Sequence, residues 1–186
     1  MTARFATLIL FVTAFAGLAR ADSGRVLSLD DLIDLSAEVV VGEVVSSTSR
    51  WQQRSVVTDT IVRVEETMKG EPVREITITQ PGGTAVHPGL GAQITTEAST
   101  FTALAPGETV VLFVDRRAGM RQLVGAQQGK LVVEPAATAR GVPRALAVGP
   151  KKPHVDRADP SKTVGTRGVT LDELRARVMA RKDAAR

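Results

Sequence analysis

Cysteine and tyrosine are both absent from the 186-residue chain, which also has only one tryptophan and two histidines. The absence of cysteine excludes a disulfide scaffold, a thiolate-bound zinc or iron–sulfur site and a thiol nucleophile. Two histidines leave little material for a histidine-based metal site or for acid–base chemistry. The remaining composition, 43% hydrophobic and 24% charged, is typical of one globular domain with additional segments.

Long apolar runs are also scarce, and the most prominent one lies at the start of the chain. Residues 5–18 carry no charge, follow Arg4 and precede Ala19-Arg20-Ala21. This pattern predicts a signal peptide over residues 1–21, cleaved near Ala21. An uncleaved anchor is the alternative, although the run is shorter than the roughly 20 apolar residues of a spanning helix. We therefore expect an exported protein, periplasmic or secreted, that is not an integral membrane protein.

The formal net charge of +4 hides an acidic body and a basic tail. Residues 1–21 carry a net charge of +2, residues 22–136 carry −5 and residues 137–186 carry +7. Any anionic partner is therefore expected at the tail. Specific nucleic-acid binding by the body is not expected, because its charge repels phosphate and it has few aromatic side chains for stacking.

The body, residues 22–136, predicts a short helix followed by strands. Ser28 can cap a helix in which Leu29, Leu32 and Ile33 follow helical spacing. Six short β-rich segments come next, without alternating helices, and Gly42 lies where the first of them would bend. This order favours a small antiparallel β-barrel over a parallel sheet. The predicted strands are residues 38–47, 56–65, 75–80, 109–115, 122–125 and 130–134.

Several turn and strand motifs of the body carry a resemblance to known proteins. They are Val39-Val40-Val41-Gly42-x-Val44, Thr58-Asp59-x-x-Val62-x-Val64-Glu65-x-x-x-Lys69-Gly70, Gln80-Pro81-Gly82-Gly83, Pro106-Gly107-Glu108 and Gly125-x-x-Gln128-Gly129-Lys130. With them, residues 27–134 resemble an uncharacterised family of exported bacterial proteins. They are more distantly similar to the OB-type barrel of netrin-like and metalloproteinase-inhibitor modules. The resemblance implies an OB-like barrel for residues 22–136.

The inhibitor modules present an N-terminal cysteine to the metal of their target, and this chain has no cysteine. The resemblance therefore does not imply metalloproteinase inhibition.

Candidate catalytic groups are few. His87 and His154 have no second histidine or carboxylate at ligand spacing, which argues against a metal site. A Gly-x-Ser-x-Gly turn is absent, although His87 with a nearby serine or aspartate leaves an envelope hydrolase as the alternative. We expect no enzyme, no cofactor and no metal.

Candidate binding residues lie in two places. Residues 81–100 form a polar stretch that is long for a loop in a compact domain, and such loops are often functional. It contains Pro81, Gly82, Gly83 and His87, while Trp51 lies at the polar end of a predicted hairpin. The sequence therefore predicts a non-catalytic binding or interaction module, with these five residues as its site and an envelope or extracellular protein as its partner.

The tail is predicted to have two parts. Residues 137–168 are basic and rich in Ala, Gly and Pro, which is typical of a linker. Residues 169–186 predict a helix that begins with a capping box at Thr170 and has Leu171, Leu174 and Val178 on one face. That helix either docks on the barrel or a partner, or serves as a basic arm for anionic lipid, polysaccharide or nucleic acid. We expect deletion of residues 137–186 to leave the barrel folded.

Overall fold

The computed structural model describes residues 26–98, 102–117, 119–134, 144–147 and 169–184. The predicted signal peptide and most of the predicted linker lie outside the described residues. Within these ranges no helix is both long enough and apolar enough to cross a membrane. The described chain is mainly β, as predicted, with a helix near each end.

The elements follow one another in an order close to the predicted one. Helix α1 spans Leu29–Leu35 and helix α2 spans Leu171–Ala184, with a 3-10 turn at Ala126–Gly129. The strands of the described ranges are β1 (Glu38–Gln52), β2 (Ser55–Lys69), β3 (Glu75–Pro81), β4 (Gly83–Val86), β5 (Gln93–Thr96), β6 (Thr109–Arg117), β7 (Met120–Leu123), β8 (Lys130–Glu134), β9 (Arg144–Ala147) and β10 (Val169–Thr170). All six predicted strands are present, and β1 and β2 are longer than predicted.

Four strands fall where the sequence predicts none. Strands β4 and β5 lie inside the predicted loop of residues 81–100, and β9 lies inside the predicted linker. Strand β9 pairs with β8, and the two-residue β10 pairs with β9 just before α2. Strand β9 forms by backbone hydrogen bonds to β8, and such pairing does not require a particular side-chain pattern. For this reason the composition of the segment predicts a linker and gives no sign of the strand.

Strand β1 is central to the main sheet because it pairs on both sides. It is antiparallel to β2 along its length and antiparallel to β6 from Glu38 to Glu43. The pairings β2–β3 and β6–β7 are also antiparallel. Strands β3 and β7 are parallel where Ile78 lies opposite Arg121, which departs from the all-antiparallel prediction. Pairing thus runs β1–β2–β3–β7–β6 and returns to β1, while β8, β9 and β10 extend from β6.

The predicted irregularity at Gly42 is confirmed. The register between β1 and β2 shifts between Val41 and Gly42, and a Cβ built on Gly42 would overlap the carbonyl oxygen of Arg63. A side chain at this position would therefore push β2 away from β1. Beyond the end of its pairing with β6, β1 continues alongside β2, which also pairs there with β3, and we call this part of β1 and β2 the extension.

Two apolar clusters lie on opposite faces of the central strands. Alternation along a strand sends successive side chains to opposite faces, so Val40 and Val39 belong to different clusters. One, which we call the inner cluster, comprises Val40, Val44, Val62, Ile76, Ile78, Leu104, Val110, Leu112 and Val114. The outer cluster comprises Leu32, Ile33, Val39, Val41, Val111, Phe113, Val124, Leu131, Leu174 and Val178.

Helix α1 begins at the predicted cap and covers part of the outer cluster. Ser28 Oγ accepts the N–H of Asp31, and the Asp31 carboxylate accepts the N–H of Ser28, which completes a capping box. Leu32 and Ile33 are buried against the sheet. The helix is only seven residues long, so packing and this cap, rather than helix propensity, hold it in place.

Helix α2 docks on the same cluster, which is one of the alternatives that the sequence leaves open. Leu174 and Val178 are fully buried among residues of α1, β1, β6 and β8. We therefore expect removal of this helix to lower the stability of the body, because α2 supplies part of the core. Leu174 and Val178 are four residues apart and therefore lie on one face of α2, from which both pack into the outer cluster.

Ion pairs account for much of the positive charge of α2. Arg175 contacts Glu66 on β2 at 2.7 Å, and Arg181 contacts Asp30 and Asp34 on α1 at 3.1 and 3.2 Å. The acidic first turn of α1 thus faces the basic last turn of α2. The helix is consequently less available as a free basic arm than its composition indicates.

Candidate functional site

The predicted loop of residues 81–100 contains an ordered β-hairpin, β4–β5, which we call the cap hairpin. Its four residue pairs run from Gly83 opposite Thr96 to Val86 opposite Gln93. The hydroxyls of Thr84 and Thr95 lie 2.9 Å apart on its exposed side. The cap hairpin contacts the extension of β1 and β2 rather than joining the main sheet.

Pro81-Gly82-Gly83 forms the root of the cap hairpin and ties it to β2. The Gly82 N–H donates to Val56 O at 2.8 Å, and Thr58 Oγ1 donates to Gly82 O at 2.7 Å. Gly82 and Gly83 have φ values of 106° and 119°, a region that side chains disfavour. A Cβ on Gly83 would overlap Ser49 Oγ and Thr58 Oγ1, so the backbone lies directly on this hydroxyl pair.

The tip of the cap hairpin meets the end of β1 at an aromatic contact. The rings of His87 and Trp51 are edge-to-face, with centroids 4.5 Å apart and planes at 64°. Trp51 Nε1 donates to Gln53 O at 3.1 Å, which fixes the indole beside the β1–β2 turn. His87 Nδ1 accepts the N–H groups of Gly89 and Leu90, both at 3.1 Å.

Polar side chains line the strands beneath the cap hairpin, in contrast to the apolar inner cluster farther along the same strands. Ser47 and Thr60 hydroxyls are 3.0 Å apart, and Ser49 and Thr58 hydroxyls are 2.8 Å apart. Thr58, Thr60 and Gln80 are buried, and Gln80 Oε1 has no hydrogen-bond partner. The interior therefore changes from aliphatic to polar at the end that the cap hairpin covers.

The outward side of the same extension carries an ion pair. Arg50 Nε donates to Asp59 at 2.6 Å, and Thr79 Oγ1 donates to the other carboxylate oxygen at 2.7 Å. Partial burial opposes ionisation of Asp59, but these two hydrogen bonds outweigh it and lower its pKa. Arg50 and Asp59 thus cross-link β1 and β2 from outside while the serine–threonine pairs do so from inside.

A separate groove of about 450 Å³ lies at the other end of β1, between the main sheet and the start of α2. Glu65 and Glu108 lie at its sides, and Glu108 accepts a hydrogen bond from the buried Lys130 at 2.6 Å. Burial opposes ionisation of Glu108, but Lys130 and the Ala105 N–H lower its pKa. The apolar part of the lining comprises Val41, Val132, Val133 and Leu171.

The structure brings the sequence-predicted binding residues onto one substructure. Trp51 and His87 are in contact, while Pro81, Gly82 and Gly83 form the root of the same hairpin. Sequence reasoning missed the serine and threonine hydroxyls of β1 and β2 that lie beneath the cap hairpin. Their spacing of two, at 47 and 49 and again at 58 and 60, was the available signal for one polar strand face.

Sequence reasoning also missed two exposed apolar side chains of the cap hairpin. Val86 is 60% exposed and Leu90 is 72% exposed, on either side of His87 in the chain.

The contacts of His87 are with an aromatic ring and with backbone groups. Within the described ranges its ring contacts Trp51 and two backbone N–H groups, with no hydrogen bond to a serine or a carboxylate. In the same ranges no three His, Cys, Asp or Glu side chains are grouped so that they could hold a metal ion. The site is a hairpin held at its root and at its tip, with an aromatic and aliphatic surface.

Comparison of the chain with protein-family models, with curated proteins and with solved structures found no match.

Gly83→Ala should lower the free energy of unfolding by about 2 kcal/mol, because a side chain there combines backbone strain with overlap on Ser49 and Thr58. Gly91→Ala is the matched control: its φ is 64°, but nothing lies within 4 Å of the added Cβ. We expect about 1 kcal/mol from strain alone at Gly91. Urea unfolding of both variants measures the difference, and equal losses would contradict the close contact at Gly83.

Proposed function

We propose that the chain is an exported, non-catalytic binding module on an OB-like β-barrel, and that it binds a protein partner through the cap hairpin and Trp51. The proposal rests on Val86 and Leu90, two exposed aliphatic side chains on a hairpin that is anchored at its root and at its tip.

The strand pairing supports the barrel part of the proposal. Five strands, β1, β2, β3, β7 and β6, form a circuit that returns to β1. An OB-type barrel is a small five-stranded Greek-key barrel that is partly open. The single parallel contact between β3 and β7 closes this circuit, and the inner cluster fills its interior.

The anchoring of the cap hairpin supports the binding part. Isolated exposed aliphatic side chains are common and need no explanation. Here Val86 and Leu90 flank a histidine whose ring is held against Trp51, and the root is held by two hydrogen bonds to β2. A loop positioned by a rigid scaffold is where binding residues concentrate, because little conformational entropy is lost on association.

Two other functions have weaker support. An envelope hydrolase needs His87 to act as a base, but its Nδ1 is occupied by backbone N–H groups of its own turn. A basic-tail binder of anionic polymer or lipid needs free cations; in α2, the part of the tail whose side chains the structure describes, Arg175 and Arg181 pair with acids of the body.

The test uses two double variants with the same kind of change. Val86→Ser with Leu90→Ser removes the apolar surface of the cap hairpin. Leu35→Ser with Met179→Ser removes two side chains of similar exposure, 57% and 56%, on the helices. We expect the hairpin variant to lose at least about tenfold of its affinity for the partner, since two buried aliphatic side chains contribute more than 1.4 kcal/mol.

Partners are captured from an envelope fraction with the full chain and quantified by mass spectrometry, and the affinity of each purified candidate is measured by calorimetry. A protein lost only with the hairpin variant supports the proposal. Equal capture by both variants would reject the cap hairpin as the binding surface. Esterase or protease activity that disappears in His87→Ala would favour the hydrolase instead.

A further inference from the structure

The tip of the cap hairpin is closed around His87 from two sides. Its Nδ1 accepts the N–H groups of Gly89 and Leu90, each at 3.1 Å. The carbonyl oxygen of His87 accepts the N–H of Gly91 at 2.9 Å and that of Leu90 at 3.3 Å. The turn of residues 88–91 therefore depends on both the side chain and the backbone of one histidine.

This geometry requires a neutral ring. A nitrogen that accepts two N–H groups carries no proton, so the ring proton is on Nε2. Imidazole is the side chain whose charge changes between about pH 5 and 8. A proton added at Nδ1 would point at two donors, and both hydrogen bonds would be lost.

We propose that His87 is a pH-sensitive latch of the cap hairpin. When the ring is neutral, it holds the turn of residues 88–91 closed and contacts Trp51. When the ring is protonated, the turn opens and the ring moves away from Trp51. If the cap hairpin binds a partner as proposed above, binding weakens in acid, since Leu90 no longer has a fixed position.

Charged groups near the latch do not offer the protonated ring a replacement partner. Arg50 precedes Trp51 on β1, lies on the opposite face of that strand and pairs with Asp59 of β2. Arg54 lies in the β1–β2 turn, and Glu97 follows β5. Within the described ranges neither of these two side chains makes a hydrogen bond or an ion pair with His87. Among the described residues, the hydrogen bonds and ring contact of the His87 side chain are those with Trp51, Gly89 and Leu90.

The experiment is an NMR titration of the full chain between pH 8 and pH 5. The amide protons of Gly89 and Leu90 should move upfield together as the acceptor is lost, and the contact between the His87 and Trp51 rings should disappear. Protection factors of these amides, corrected for intrinsic exchange, should fall about tenfold, as expected for loss of one hydrogen bond. The single tryptophan of the chain makes its ring signals unambiguous.

Two variants separate the latch from other titrations. His87→Asn places an acceptor oxygen near the position of Nδ1 but does not titrate, so its turn should stay closed at both pH values. His154→Gln removes the other histidine and should leave the titration unchanged. Unchanged Gly89 and Leu90 amides in the unsubstituted chain would overturn the proposal, as would loss of the response in His154→Gln or its persistence in His87→Asn. No partner is needed, so this result is independent of the binding test.

Discussion

Leu174→Ala should lower the free energy of unfolding by about 3 kcal/mol, which is typical of a fully buried leucine that leaves a cavity. Leu174 is enclosed by the outer cluster, where α1, α2 and the sheet meet. The rigid strands on one side and the capped α1 on the other limit collapse into the vacated space. Urea unfolding, followed by circular dichroism, measures the change.

Met179→Ala is the control on the same helix, because Met179 is mostly exposed. We expect a change within about 0.5 kcal/mol for this surface position. Deleting residues 169–184 should cost more than Leu174→Ala, since it removes Val178 and the ion pairs of Arg175 and Arg181 as well. A truncated chain as stable as the full chain would show that α2 is not part of the core.

Glu38→Gln should cost about 2 kcal/mol at pH 7, as expected when a buried carboxylate that accepts hydrogen bonds from two partly exposed arginines is neutralised. Only 3% of the Glu38 side chain is exposed, and both Arg116 and Arg121 donate to its carboxylate. The amide that replaces the carboxylate is neutral and has only one acceptor oxygen, so Arg116 and Arg121 lose their counter-ion. Glu43→Gln is the matched control, because the Glu43–Arg63 pair is exposed and 3.4 Å long.

The loss from Glu38→Gln should depend on pH in a definite direction. Burial opposes ionisation of Glu38, but the hydrogen bonds from Arg121 and Arg116 outweigh it and hold its pKa below the usual range of a glutamate. A lowered folded-state pKa contributes stability above the unfolded-state pKa and loses it as the pH falls through the folded-state pKa. The unsubstituted chain should therefore lose more stability than Glu38→Gln below about pH 4.5. A constant difference from pH 7 to pH 3 would contradict the ionised cluster.

The strands and the start of α1 could be predicted from the sequence because each leaves a local pattern. Alternation such as Ile76 and Ile78 reports a half-buried strand, and Ser28 followed by Asp31 reports a cap, because both signals lie within a few residues. The cap hairpin gives no such signal, since Gly83–Val86 and Gln93–Thr96 are only four residues each and too short to show a period.

Contacts between distant residues could not be read in the same way. The sequence indicates Trp51 and His87 as separate candidates, 36 positions apart. Their contact depends on how the root of the cap hairpin directs the hairpin toward β1. The Glu38 cluster joins residues 78 and 83 positions apart. The docking of α2 likewise depends on a surface formed by α1 and the sheet, so the helix alone predicts a face but not its target.

The outer cluster has a consequence for the order in which the chain can fold. Its members extend from Leu32 to Val178, so the layer cannot be completed until nearly the whole chain is present. A growing chain would hold β1 and β6 with one apolar face uncovered until α2 arrives, and such an intermediate is open to chaperones and to aggregation. Under the proposed export this delay would be useful, because a polypeptide that finishes folding late remains unfolded long enough to pass through a narrow channel.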